Sequence, residues 1–443
     1  MKDIIFVSIG GAGCNINSQL WNDLHQELVY FQENPAEQDK YSFNSNIMFN
    51  ETSSGQWQPR TIFIDPDPIA IDDAKESLAS LSMSEDSYWT DSEDCSTLYT
   101  KGQYTLANRV EDDILAIFDK NVEKCDTKPE LFFINSLSGG TGGGLTHRIM
   151  NRVFTEKIDA ICYNVLMSFE NLPHLAEAYN TVFGMANCLE NDALSINVQN
   201  DKCFSVLNLT GNLDPTYSDL NQLLSSNISM ITAKMRFHQL GCDSIGKLCG
   251  HLIPYPRQSF TIPSIAPICC EIKPDKDFAS PHEIMEASFS QETKLANYDL
   301  SSITETASAT FFGDVHSQEA KDACESVMKA HPKKFTKHNK NPIRFNIVQT
   351  PEIQFKDKLT TQLYRGKYCS TIDNTTGIGY LLSKLNHEFD LLFSKRAYVY
   401  SYVGEGQAEG EFIEHRENLA ALEKDYEFYL PPYYEGEGED DEE

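Results

Sequence analysis

The chain has 443 residues, with 36 Lys and Arg against 66 Asp and Glu, a formal net charge of −30. At roughly 150 residues per domain this length predicts two or three packed units. A 40% apolar fraction with 25 Phe and 20 Tyr argues against wholesale disorder. A pI near 4.7 argues against nucleic acid as the main partner, because phosphate binding needs clustered Lys and Arg.

No apolar run approaches the ~18 residues of a membrane span, so no membrane partner is expected. Met1-Lys2-Asp3-Ile4-Ile5-Phe6 passes quickly into Gly10-Gly11 and does not read as a signal peptide. The twelve Cys are scattered without a CxxC spacing. They predict a reduced, cytosolic chain with buried thiols rather than a disulfide scaffold or a zinc site.

Ile4 to Ile9 reads as a buried strand, and Ile16, Leu20, Trp21, Leu24 and Leu28 then recur at helical spacing. Residues 33–58 are polar and aperiodic, and predict a long surface loop. Thr61 to Ile64 is a second strand, stopped by Asp65-Pro66-Asp67-Pro68. Val110, Ile114, Leu115, Phe118 and Val122 mark a helix, and Leu131 to Ile134 a strand that runs into a glycine-rich turn. Leu145, Ile149, Met150 and Val153 are helical, Ile161 to Met167 strand-like, and Tyr179, Val182, Phe183, Ala186 and Leu189 helical again. This βαβα order predicts an α/β fold around a largely parallel sheet. Ligands of such sheets bind beyond the carboxyl ends of the strands. The loops Gly10–Gly13, Asp65–Pro68 and Ser138–Gly144 are therefore expected to converge there.

The second half is less regular. Residues 217–235 predict a helix with Leu220, Leu223, Leu224 and Ile228 on its apolar face. Mixed strands and helices follow to about residue 373. Two helical stripes close the chain: Leu381, Leu382, Leu385, Phe389, Leu392 and Phe393, then Leu419, Leu422, Tyr426 and Tyr429. Residues 435–443 read EGEGEDDEE, and their self-repulsion predicts a disordered acidic tail.

Ser138-Gly139-Gly140-Thr141-Gly142-Gly143-Gly144 sits between a strand and a helix. Glycine lets the backbone approach a ligand, and successive N–H groups at a helix start can cradle phosphate oxygens. The motif is not a P-loop, since no Lys follows it. Gly11-Ala12-Gly13-Cys14-Asn15-Ile16 fails the dinucleotide fingerprint, because Ile16 occupies the third glycine position. Asp65 and Asp67 would repel phosphates unless Mg²⁺ or its waters lie between. Asp94 is a weaker candidate for the same shell.

Taken together, these segments resemble the tubulin superfamily over essentially the whole chain. SGGTGGG resembles its Gly-Gly-Gly-Thr-Gly-Ser-Gly signature, with Ser138 and Gly143 as departures. Gly10-Gly11-Ala12-Gly13 resembles its first loop, with Gly11 in place of the usual Gln. Ile64-Asp65-Pro66-Asp67-Pro68, Lys101-Gly102-Gln103-Tyr104-Thr105 and Glu177-Ala178-Tyr179-Asn180 resemble Val-Asp-Leu-Glu-Pro, Arg-Gly-His-Tyr-Thr and Glu-Pro-Tyr-Asn. Ile253-Pro254-Tyr255-Pro256-Arg257, Tyr402 to Gly406, Glu409 to Phe412 and Ala420 to Glu427 are similar to α-tubulin in particular.

The resemblance implies a Rossmann-like GTPase domain over 1–200, an α+β intermediate domain over 201–375, C-terminal helices over 376–430 and the acidic tail over 431–443. It implies GTP and Mg²⁺ as cofactors. Gly10, Gly11, Ala12, Asn15, Ser138, Gly139, Gly140, Thr141, Gly142 and Gly143 would hold the phosphates, and Asp65 and Asp67 would act through the metal or its waters. Glu177 would bond the ribose, Tyr217 would stack on guanine and Asn221 would read its edge. Asn197 and Asn200 both fall near the second guanine-reading Asn, and Asn200 is the one assigned. The implied partners are a β-type tubulin and, through the tail, basic motors or microtubule-associated proteins, on microtubules in the cytoplasm.

One departure bears on activity. α-Tubulin carries a Glu before its Val-Pro-Tyr-Pro-Arg element that helps activate water on the neighbour's GTP. The matching residue here is Lys247, which cannot act as a carboxylate base. Asp243, one helical turn earlier, is a weak substitute. No catalytic residue is therefore assigned, and hydrolysis is expected to be weak or absent. The segment Lys294 to Thr306 also lacks the family's Asp-Pro-Arg-His-Gly-Lys-Tyr, so lateral contacts are expected to differ. Two readings follow: an α-type structural subunit of microtubules, or a specialised tubulin that caps, seeds or regulates polymers without entering the lattice.

Overall fold

The computed structural model describes residues 2–427 apart from 96, 155–157, 170–173, 213, 238–243, 269–279, 300, 352, 354–358, 360–362 and 364–365. The first half runs β1 (Ile4–Ile9), α1 (Gly11–Glu33), α2 (Pro35–Tyr41), β2 (Phe49–Glu51), β3 (Trp57–Pro59), β4 (Thr61–Ile64) and α3 (Pro68–Ser77). It continues through β5 (Tyr88–Trp89), α4 (Ala107–Glu123), β6 (Glu130–Ser136), α5 (Thr146–Val153), β7 (Ala160–Leu166) and α6 (Glu177–Glu190). Then come β8 (Leu194–Gln199), α7 (Asn200–Leu209), α8 (Tyr217–Arg236) and α9 (Ile245–Leu252). The second half adds β9 (Phe260–Ala266), α10 (Pro281–Ser288), β10 (Thr304–Phe312), α11 (Ser317–Ala330), β11 (Ile343–Val348) and β12 (Tyr368–Thr375). Three helices close it: α12 (Ile378–Ser394), α13 (Val399–Gly404) and α14 (Glu409–Glu427).

The apolar runs at Ile4, Leu131 and Ile161 carry no alternation because both faces of their strands are buried. They form the centre of a ten-stranded sheet in the order β11-β10-β12-β9-β8-β7-β6-β1-β4-β5. From β5 to β9 every pairing is parallel. Only β12 runs antiparallel, to both β9 and β10. The sheet is continuous across the expected boundary at residue 200, which falls between β8 and α7. Helices cover both faces. One core joins α1, α3 and α8 to the sheet, and another joins α4, α6, α12 and α14.

Two sequence expectations are corrected. Residues 33–58 are not a featureless loop: they hold α2 and the β2–β3 hairpin, and they bury Phe43, Ile47, Met48 and Phe49. The apolar residues are too sparse there to show a period, but Phe43 stacks on Phe31 at 4.3 Å between ring centroids and fixes the segment to α1. Likewise α8 is buried along nearly its whole length, not on one face. Its Ser225 and Thr232 look polar in sequence but return their hydroxyls to their own helix, to the Gln222 carbonyl at 3.0 Å and the Ile228 carbonyl at 2.8 Å. Its last residue, Arg236, pairs inside the core with Glu27 of α1, Nε to Oε1 at 2.8 Å.

The nine described Cys are free thiols, most of them buried. No helix among the described residues is long and apolar enough to cross a membrane. Asp243, Tyr429 and the acidic tail lie outside the described residues.

Candidate nucleotide site

The loops after β1, β4 and β6 meet at the carboxyl ends of their strands around a cleft of ≈ 310 Å³. Gly10, Gly11, Ala12, Asp65, Asp67, Asp94, Ser136, Ser138, Gly139, Gly140, Thr141 and Gly142 line it. The strands set this approach. Gly10 has φ +84° and donates its N–H to the Ile64 carbonyl at 2.9 Å, tying the first loop to the end of β4. A Cβ on Gly142 would stand 2.4 Å from the Ser136 carbonyl, so only glycine fits where the third loop folds back on β6. Asn135 then holds the turn, Nδ2 donating to the Gly142 carbonyl at 3.0 Å. Thr141–Leu145 forms a wide helical turn that leads into α5, so the cradle opens on the start of a helix.

One wall of the cleft is acidic. Asp65 is buried, accepts the Asp67 N–H at 2.9 Å, and Asp67 in turn caps α3 through the Ile69 N–H at 3.0 Å. Burial pushes the Asp65 carboxyl up to about 6, against the Asp67 N–H and with help from the Asp67 and Asp94 charges. A buried carboxylate beside two others is relieved by a cation. Among the described residues no cluster of three or more His, Cys, Asp or Glu is arranged to hold a metal by itself. The donor set therefore suits Mg²⁺ held mainly by phosphate and water, with Asp65 and Asp67 at its edge.

The remaining predicted residues stand outside this cleft. Asn15 is exposed on α1, and Gly143 packs beneath the Tyr99 ring. Further along the carboxyl edge, Glu177 opens α6 and is buried, with burial raising its carboxyl above the usual range. Tyr217 is the first residue of α8. It is 68% exposed, and its ring sits edge-on to Phe204 at 5.5 Å. Asn221 lies one turn later and is half-buried.

The two alternative asparagines differ sharply. Asn197 is wholly buried, donates to the Ser195 and Thr261 carbonyls at 3.2 and 3.3 Å, and accepts from Ser195 Oγ. Asn200 opens α7, and its buried Oδ1 has no hydrogen-bond partner among the described residues. An acceptor left open at the end of a strand is what a ligand donor would satisfy.

Lys247 occupies the other end of the molecule. The start of α9 is held by Glu130, which accepts the Ile245 and Gly246 N–H groups at 2.7 and 3.2 Å. Glu130 begins β6, whereas the glycine loop follows its end. The exposed Lys247 is thus a strand length, about 20 Å, from its own cleft.

Sequence reasoning missed Ser136 and Asn180. Ser136 lines the cleft, with its Oγ 2.9 Å from Ser138 Oγ. Asn180 is buried and donates to the Ser138 carbonyl at 2.8 Å. The only signal was Asn180's place in Glu-Ala-Tyr-Asn, where Glu177 alone was assigned a role.

A sequence model of the Tubulin/FtsZ family, GTPase domain, matches residues 3–208. The chain is similar to the tubulin alpha-1 chain of Emericella nidulans, 28% identical over 450 residues covering 99% of each chain. It is 29% identical to the nucleomorph tubulin alpha chain of Guillardia theta over 437 residues, 96% of this chain and 97% of that one. It is also 29% identical to the tubulin alpha-1 chain of Arabidopsis thaliana over 441 residues, 96% of each.

Proposed function

We propose a function from one premise: the chain belongs to the tubulin superfamily, as a divergent α-tubulin-like member. It is a structural subunit of the tubulin type. On our reading it binds GTP with Mg²⁺, pairs with a β-type tubulin and enters cytoplasmic microtubules. The observation that carries this reading is the convergence of three loops on one cleft with an acidic wall. The first and third loops would hold the phosphates. Asp65 and Asp67 would orient the waters of a Mg²⁺ ion, which when bound offsets the phosphate charge. Glu177 would bond the ribose, Tyr217 would stack on guanine, and Asn200 and Asn221 would read its edge.

The surface around the cleft supports an end-on partner. Ile69, Leu175, Tyr217, Tyr400 and Val403 are 68, 51, 68, 77 and 44% exposed. The first three lie at helix starts along the carboxyl edge, and α13 joins them there through Tyr402, whose hydroxyl lies 3.3 Å from the Ala176 carbonyl. Lys247 at the opposite end suits a head-to-tail contact, in which one copy's α9 meets the next subunit's nucleotide. An ammonium there can pair with phosphate but cannot take a proton from water. We therefore expect assembly without efficient activation of the neighbour's GTP. Residues 435–443 would remain available to basic motors or microtubule-associated proteins.

A second reading, a tubulin that caps, seeds or regulates polymers, draws support from the segment after α10. Lys294 is buried in an ion pair with Asp373, Nζ to Oδ1 at 2.5 Å, and Leu295 and Ala296 are buried beside it. That stretch is folded inward rather than offered to a lateral neighbour.

The test is to purify the full chain, identify its nucleotide and co-purifying subunit, and measure phosphate release on assembly. We expect a guanine nucleotide, a β-type tubulin and turnover that rises in Lys247→Glu. A chain that carries no guanine nucleotide refutes the reading. Electron microscopy of a labelled chain separates the two versions: signal along filaments supports the lattice subunit, signal at their ends the cap or seed.

A further inference from the structure

Asn180 lies on the second turn of α6 and is wholly buried. Its side-chain amide is saturated. Nδ2 donates to the Thr97 carbonyl at 2.6 Å and to the Ser138 carbonyl at 2.8 Å. Oδ1 accepts the Tyr99 N–H at 3.2 Å and the Tyr402 hydroxyl at 2.7 Å. An asparagine can make two donor and two acceptor bonds, and here all four are used. Two of its partners, Thr97 and Tyr99, belong to the segment that follows Asp94. A third, Ser138, opens the glycine loop. The fourth, Tyr402, belongs to α13 in the outer layer.

The two loops also meet directly. A Cβ on Gly140 would stand 2.7 Å from the Leu98 carbonyl oxygen, so their backbones pack with nothing between them. Asn180 sits behind this contact and fixes its register from both sides. The outer connection is short and specific. Tyr402 is buried, whereas Tyr400 and Val403 on the same short helix are exposed. The end of this helix is tied to the segment after the first of these loops a second time, since Thr105 Oγ1 donates to the carbonyl of Glu405, its C-cap residue, at 3.4 Å.

We propose that Asn180 is a positioning residue that sets the glycine loop of the phosphate cradle against residues 97–99, and that the Tyr402 hydroxyl fixes Asn180 in that role from α13. The inference rests on the guanine-nucleotide reading and deepens it by naming what positions the phosphate loop of the same site.

The experiment uses the full chain as wild type, Tyr402→Phe and Asn180→Asp, with affinities for GTP, GDP and guanosine measured by competition. Tyr402→Phe keeps the ring and removes one hydrogen bond, so GTP affinity falls about fivefold while guanosine affinity holds. Asn180→Asp turns two donors into acceptors against two carbonyls and lowers GTP affinity about tenfold or more. A merely structural role would weaken GTP and guanosine alike. Tyr402→Phe also keeps the test decisive if Asn180→Asp does not fold. An unchanged GTP-to-guanosine ratio in Tyr402→Phe, with wild type binding both, overturns the inference alone. A wild type that binds no guanine ligand overturns the underlying reading, and the inference with it.

Discussion

The two ends of the nucleotide site are built differently. The phosphate end is backbone: three loops fixed by strand ends, with glycines where a Cβ would strike a carbonyl. On the proposed reading the base end is side chains at helix starts: the Tyr217 ring lies against Phe204, and Asn200 Oδ1 has no hydrogen-bond partner among the described residues. The first is formed before any ligand arrives, because the sheet dictates it. The second would be completed by the ligand. Affinity should therefore reside in the cradle, and discrimination among bases in a few removable groups.

The largest expected effect is at the cradle. Gly142→Ala drives a Cβ to 2.4 Å from the Ser136 carbonyl, whereas a Cβ on Gly139 would lie 4.0 Å from the same atom. We expect Gly142→Ala to lower GTP affinity about 100-fold or to prevent folding, and Gly139→Ala to change it less than about twofold. Nucleotide content after purification, alongside thermal unfolding, reads both. Equal behaviour of the two variants would break the claim that backbone geometry builds this end.

The next effect separates the asparagines. Asn200→Ala should reduce the preference for GTP over ATP about tenfold and leave the unfolding midpoint in place. Asn197→Ala leaves two buried carbonyls short of a donor and should cost about 1–3 kcal/mol of stability. A stable Asn197→Ala that loses guanine selectivity would exchange the two roles.

What was legible in the sequence follows the same division. The parallel strands announce themselves because burial on both faces leaves unbroken apolar runs, as at Ile4 to Ile9. The glycine loop is visible because its density is needed for close approach. The second half of the sheet hides better. Thr304–Phe312 is buried along its length, yet alternates Thr, Ser and Ala and reads as polar. The helix packed on it satisfies such groups, as where Lys234 Nζ of α8 reaches Ser308 Oγ at 3.1 Å. Asn180 was invisible for another reason: its meaning lies in partners at Thr97, Ser138 and Tyr402, far apart in sequence. A pattern read along the chain carries no trace of such a junction.

The smallest effect sharpens the base end itself. The Tyr217 ring is 68% exposed, and the turn beneath it is set by Thr216 and Asp219, which bond each other's backbone N–H groups at 3.3 and 2.8 Å. The ring is thus held in place at little cost and contributes little to stability. A stacking platform is blind to base identity, because every base has a π-face. Tyr217→Ala should therefore weaken GTP and ITP equally, by about five- to tenfold, and leave thermal unfolding of the nucleotide-free chain unchanged. Tyr217→Phe keeps the face and should bind as wild type does. Competition binding of the two nucleotides to the three proteins checks this. If Tyr217→Ala spared ITP while weakening GTP, the ring would be reading guanine rather than supporting it, and stacking would no longer be its role.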